Sequence, residues 1–203
     1  MARPSKFDRS KAIETAMNAI WSDGYEASSV KALSERLGIT RSSFYNAFGS
    51  REELFEEAFE AYARISPDRS LSEAIPGDRL RPLLTRITRE ICHVRGTDPQ
   101  ARGCLIINTV AQRCPQDVAL SQLLCGAVMN SVAHLETLLK GAVEAGELDP
   151  DTDTRATALA IQNMIVGLNV MAKVTRNEAD LWTIAAATLK GFGLYDEIGL
   201  SGG

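Results

Sequence analysis

The chain is poor in the residues that most chemistry needs. It holds two histidines, His93 and His134, and four cysteines, at 92, 104, 114 and 125, none of them in a CxxC pair. Scattered ligands of this kind do not build a zinc site, and the Cys92–His93 adjacency points two side chains in different directions on a helix. No GxSxG, HExxH, P-loop or dinucleotide-type glycine pattern occurs, so an enzyme is not expected, and neither is a metal or other cofactor. Period-two runs of Val, Ile and Thr are missing, which excludes a sheet-based fold. The longest apolar stretch, 156–172, is interrupted by Gln162, Asn163 and Asn169 and is short for a bilayer span. Met1 leads into ARPSKFDRS, polar and basic with no apolar h-region, so no signal peptide and no membrane partner are expected, and a cytoplasmic location is.

What remains is helical spacing. A length of 203 residues suits one or two domains with a real core. Helices are expected over about 8–23, from Ser28 or Ser29 to Gly38, 41–47, 50 to before Pro67, 78–95, 103–114, 117–145, 152–173 and 178–192. Asp117 is expected to cap the long one. Ser50-Arg51-Glu52-Glu53 reads as a capping box. The stretch SPDRSLSEAIPG, 66–77, reads as a loop or short-helix connection and a boundary between units.

The net charge is −4, yet its distribution is uneven. Residues 1–51 carry eight basic side chains (Arg3, Lys6, Arg9, Lys11, Lys31, Arg36, Arg41, Arg51) against five acidic ones, leaving fourteen basic and twenty-one acidic beyond. A basic head on an acidic body suits contact with phosphate at one end.

Residues 33–54 read LSERLGITRSSFYNAFGSREEL. Two short amphipathic segments flank a glycine turn, which is a helix-turn-helix pattern. Phe44 and Phe48, four apart, share the inward face. Thr40, Arg41, Ser42 and Ser43 fall at the start of the second helix, with Tyr45 and Asn46 following outward. Small residues at 42 and 43 let a helix enter a groove, Arg41 suits a guanine edge or a phosphate, and Asn46 suits adenine. Ser28, Ser29, Lys31 and Arg51 frame that helix as backbone contacts, and Arg3 with Lys6 offers a basic arm. The alternative is that these polar residues form only the solvated face of a helical hairpin.

The segment GYEASSVKALSERLGITRSSFYNAFGSREELF resembles the DNA-binding region of TetR-family transcriptional regulators over about residues 8–60. Many relatives carry glycine where Ser42 stands and histidine where Ala47 stands, a departure that bears on base preference. The resemblance implies an all-α protein of about nine helices. An N-terminal three-helix DNA-binding domain would cover 1–50, extending through a connecting helix to about 65. A larger C-terminal domain, 66–203, would bind a ligand and dimerise. It implies a homodimer on a near-palindromic double-stranded operator, formed through the helices near 152–173 and 178–192. Their stripes, Ile161, Ile165 and Leu168 with Leu181, Ile184, Ala185 and Thr188, suit that role or the chain's own core. An unknown small-molecule effector is implied, most often one that releases a repressor by moving the connecting helix and so the spacing of the two recognition helices. A helical interaction module that has lost DNA binding is a further alternative.

Arg102-Gly103-Cys104-Leu105-Ile106-Ile107-Asn108 resembles the GCL…N segment of one branch of the family, some of whose members sense electrophiles or oxidants through cysteine. Cys104 is thus a candidate sensor, with a packing role as the alternative; Cys92, Cys114 and Cys125 read as packing residues. For a non-covalent pocket, Asn108, Gln112, Asn130, His134 and Asn163 are candidate polar contacts, each also readable as a helix-packing residue.

Overall fold

The computed structural model describes residues 8–114 and 118–197. Among them all regular structure is helical, in ten helices. The chain divides into two compact units, 1–65 and 66–203.

The first unit is built from α1 (Arg9–Asp23), α2 (Val30–Leu37), α3 (Arg41–Phe48) and α4 (Arg51–Ile65). Each start is explained by a side-chain cap that satisfies an orphan amide. Asp8 accepts from Lys11 N, Ser29 from Ala32 N, Thr40 from Ser43 N and Ser50 from Glu53 N. Of the two serines available for α2, Ser29 is the cap. Gly38 closes α2 in the left-handed region, at φ 66° and ψ 31°, where a side chain would be strained. The core joins Ala12, Ala16 and Ala19 of α1 to Leu33, Phe44, Phe48 and Leu54. An aromatic layer extends it: Tyr25 meets Phe55 edge-on at 5.0 Å, and Trp21 meets Tyr62 likewise at 5.0 Å.

The second unit holds α5 (Arg69–Ser72), α6 (Leu80–Thr97), α7 (Leu105–Arg113), α8 (Val118–Glu144), α9 (Thr154–Thr175) and α10 (Glu178–Gly191). The four-residue α5, in the 66–77 connection, raises the count above the nine the resemblance implies. Asp117, the expected cap of α8, lies outside the described residues. α10 packs on α6 and α9, and α8 packs on α9. The α6 start has no cap of its own; Glu147 supplies one, accepting from Leu80 N and Arg81 N at 2.9 Å each.

α9 is apolar enough, by length and composition, to cross a membrane, but 44% of that stretch is buried inside the protein. It is a core helix: Ile161, Ile165 and Leu168 join Leu181 and Ala185 of α10 in one apolar cluster. Five of the seven residues expected to form a dimer stripe therefore fill the chain's own interior. The exposed apolar face of α9 is a different one, Leu159, Val170 and Val174, with Ile184 exposed on α10.

Candidate nucleic-acid interface

α3 is short and firmly seated. Phe44 is wholly buried and Phe48 nearly so, their rings 5.3 Å apart. Anchored by these two, the helix presents Arg41, Ser42, Ser43, Tyr45 and Asn46 to solvent. Tyr45 is 52% exposed although its ring rests edge-on against Phe44 at 5.7 Å, a contact that restrains its direction. Eight residues of helix measure about 12 Å, the width of a B-form major groove.

The first turn is prepared for an anion. Thr40 Oγ1 accepts from Ser43 N at 3.1 Å and lies 2.9 Å from Ser43 Oγ. The preceding amides at the helix start have no intrahelical acceptor and carry the positive end of the dipole, so a phosphate oxygen is their natural partner. Ser29, at the start of α2, and Lys31, in its first turn, are exposed as well. Lys31 makes only a long ion pair of 4.0 Å to Glu35, which leaves its ammonium available.

Three basic residues turn out to hold the unit together. Arg51, read from sequence as a backbone contact, donates Nε to Ser28 O at 3.0 Å and Nη2 to Tyr25 O, and stacks on the Tyr25 ring at 3.8 Å. Its guanidinium clamps the start of α4 to the α1–α2 connection. Arg9 pairs with Glu57 of α4 and lies over the Phe48 ring at 5.4 Å. The hydrogen bond to Glu57, aided by its charge, raises the Arg9 pKa. Arg36 pairs with Asp23 at 2.8 Å. Ser28 also differs from expectation: it is 3% exposed and donates to Gly24 O, so it stabilises the turn. Lys6 and Arg3 lie outside the described residues.

The effector-side candidates are dispersed. Gln112, Asn130 and Asn163 are exposed, and Asn163 shares the outer face of α9 with Leu159 and Val170. Asn108 is used internally, its Nδ2 donating to Arg102 O at 2.8 Å. His134 is half-buried, and its Nε2 is enclosed without a hydrogen-bond partner. Asn169, which sequence reasoning passed over, is buried on α9 with Oδ1 in the same condition. A surface cleft of about 380 Å3, lined by Asp78, Arg79, Arg81 and Glu147 among others, includes none of the six candidates.

Cys104 is 2% exposed at the N-cap position of α7. Lys173 of α9 approaches this turn, since a Cβ added at Gly103 would lie 3.0 Å from Lys173 Cε. Burial lowers the Lys173 pKa, and the nearby Cys104 charge acts in the opposite sense. Cys92 is buried too, and its thiol is pushed up to about 12, chiefly by desolvation.

Comparison with known proteins agrees with this geometry. Residues 12–58 match the family described as bacterial regulatory proteins, tetR family, and residues 78–188 match the tetracyclin repressor-like C-terminal domain. The chain is 28% identical over 177 residues to the HTH-type transcriptional regulator YezE of Bacillus subtilis (strain 168), covering 86% of this chain and 91% of that one. It is 25% identical over 189 residues to the HTH-type transcriptional repressor ComR of Escherichia coli (strain K12), covering 93% and 90%. Among solved structures, a cysteine mutant of the TetR family transcriptional regulator CifR, complexed with 26bp double-strand operator DNA, superposes with a TM-score of 0.80. The two share 29% identity, over 94% of this chain and 100% of that one.

Proposed function

The chain belongs to the TetR family of DNA-binding transcriptional regulators, and we propose that it acts in the cytoplasm as a repressor, bound as a homodimer to a near-palindromic operator. It is a regulator and not an enzyme. The observation that carries the reading is the exposed edge of α3 on its buried Phe44 and Phe48 anchor. Arg41, Ser42, Ser43 and Asn46 address base edges. Ser29, Lys31, Thr40 and Tyr45 bind the flanking phosphates. Residues 1–50, extending into α4, serve as the DNA-binding domain, and 66–203 as the regulatory and dimerisation domain.

Dimerisation is assigned to α9 and α10, by the face the core leaves uncovered. Val174 is 71% exposed and Val170 52%, on a helix whose other side is buried. Such a stripe is covered in a stable regulator by the same stripe of a second copy across a twofold axis. The twofold in turn sets two recognition helices on successive turns of the duplex.

Release by a small molecule held non-covalently in 66–203 is the effector reading. The enclosed and unpartnered His134 Nε2 and Asn169 Oδ1 support it, because buried polar atoms of this kind are normally satisfied by a protein group, water or ligand. A cysteine-based response through Cys104 is a second reading, favoured by the nearby Lys173 and opposed by the thiol's burial. An electrophile that weakens operator binding in the parent chain but not in Cys104→Ser would establish it. Selection of bound genomic fragments, followed by gel-shift titration at several salt concentrations, tests the DNA reading itself.

A further inference from the structure

Two cysteines read from sequence as packing residues meet at the junction of α7 and α8. Cys114 is the C-cap residue of α7 and Cys125 stands two turns into α8. Their Sγ atoms are 3.5 Å apart. Cys125 is exposed and Cys114 half-exposed, whereas Cys92 and Cys104 are buried. A disulfide needs the two sulfurs to close to about 2.05 Å, a movement of about 1.5 Å. Cys114 has already left the helical conformation, at φ −82° and ψ 131°, so a small backbone adjustment carries its sulfur over that distance.

We propose that Cys114 and Cys125 are a reversible dithiol–disulfide site, oxidised by hydroperoxides. The Cys114 thiolate attacks the peroxide O–O bond and takes one oxygen as a sulfenic acid. The other oxygen leaves as water, or as an alcohol from an alkyl hydroperoxide, once protonated. The Cys125 sulfur then attacks the sulfenic sulfur. The S–S bond forms, the S–O bond breaks, and the hydroxyl leaves as water with the Cys125 proton. Two electrons pass from the sulfur pair to the peroxide, and a dithiol reductant returns them by exchange. The hydrogen bond from Cys125 to Cys114 raises the Cys125 pKa, which makes Cys125 the proton-bearing, resolving partner. The buried Cys92 thiol, held near 12, has almost no thiolate to compete.

The test treats the full chain with cumene hydroperoxide, blocks remaining thiols with N-ethylmaleimide in denaturant, and maps the peptides by mass spectrometry. The expected product joins the Cys114 and Cys125 peptides, lighter by the pair of thiol hydrogens. Cys92 and Cys104 stay labelled, and dithiothreitol restores both labels. In Cys125→Ser, dimedone should trap the sulfenic acid on Cys114. The substitution is at an exposed position, and circular dichroism verifies that the fold is kept. Recovery of both residues as free thiols while another cysteine oxidises overturns the proposal. So does a bridge joining Cys125 to its counterpart on a second copy. Neither readout involves DNA, so the outcome is independent of the operator reading.

Discussion

Arg51 lies over the Tyr25 ring, its guanidinium carbon 3.8 Å from the ring centroid, while its Nε donates to the Ser28 carbonyl at 3.0 Å. One side chain thereby fixes α4 to the turn that precedes α2, and the recognition helix inherits its position from that frame. Arg51→Ala removes two charge-assisted hydrogen bonds and the stacking, and is expected to lower the stability of the N-terminal unit by about 2–3 kcal/mol. Urea unfolding followed by the fluorescence of Trp21 checks this. Loss of DNA affinity in this variant should track the loss of folded protein.

Tyr45→Ala and Arg41→Ala should behave in the opposite way. Both side chains are exposed, so thermal midpoints should hardly move, while operator binding should weaken by about 1–3 kcal/mol, roughly 5-fold to 150-fold. Tyr45→Phe removes only the hydroxyl and should reproduce most of the Tyr45 loss if that group binds phosphate. Phe44→Ala empties a wholly buried site and should cost about 3–5 kcal/mol, enough to unfold a small unit.

The contrast shows what the sequence made legible. Helix positions followed from the 3.6-residue period and from caps written in the chain itself: Ser29 and Thr40 cap α2 and α3, and Ser50 accepts from Glu53 N as one half of its box, while the Ser50 amide donates to Phe48 O. The partners of Arg51 were not legible, because they lie 23 and 26 residues away and are carbonyls, which any residue supplies. Nor was the outer face of α9. That helix is apolar on both sides, so periodicity alone could not separate the buried Ile161–Ile165–Leu168 stripe from the exposed Leu159, Val170 and Val174. Asn163 belongs to that exposed side, a placement only the packing of α8 and α10 decides.

Gly103 sits at φ +66°, and a Cβ there would come within 2.7 Å of Asn169 O. Gly103→Ala must therefore push α7 away from α9 as well as strain the backbone. A destabilisation of about 2–4 kcal/mol is expected by differential scanning calorimetry. Gly38→Ala meets no neighbouring atom and should cost only the left-handed penalty of about 1–2 kcal/mol.

Val170→Lys together with Val174→Glu places charge on the uncovered face of α9 without touching the core. Sedimentation velocity should show a shift from dimer to monomer with helix content retained. Operator affinity should fall with dimerisation, because each half-site is then bound singly.

Asp98 closes α6 and accepts from Gln100 N, Arg102 N and Arg102 Nε. Burial opposes its charge, but the hydrogen bonds from Arg102 and Gln100 outweigh it and hold its pKa below the ordinary 3.8. A depressed folded-state value means that the charged form stabilises the fold above the unfolded pKa, near 4, and that this contribution disappears as pH falls through the folded value. Asp98→Asn should flatten the stability curve below about pH 4 and leave its shape above pH 6 unchanged, as read by urea midpoints across that range.

The most direct measurement is fluorescence anisotropy of the purified chain on a duplex recovered from genomic selection, set beside a scrambled duplex of equal length and repeated with Tyr45→Ala. Two protomers should bind one duplex with half-sites about one helical turn apart, far more tightly than the scrambled control, with affinity falling steeply as salt rises and falling again in the variant. Equal affinity for both duplexes at low ionic strength, or full binding by Tyr45→Ala, would contradict the assignment of α3 to the groove.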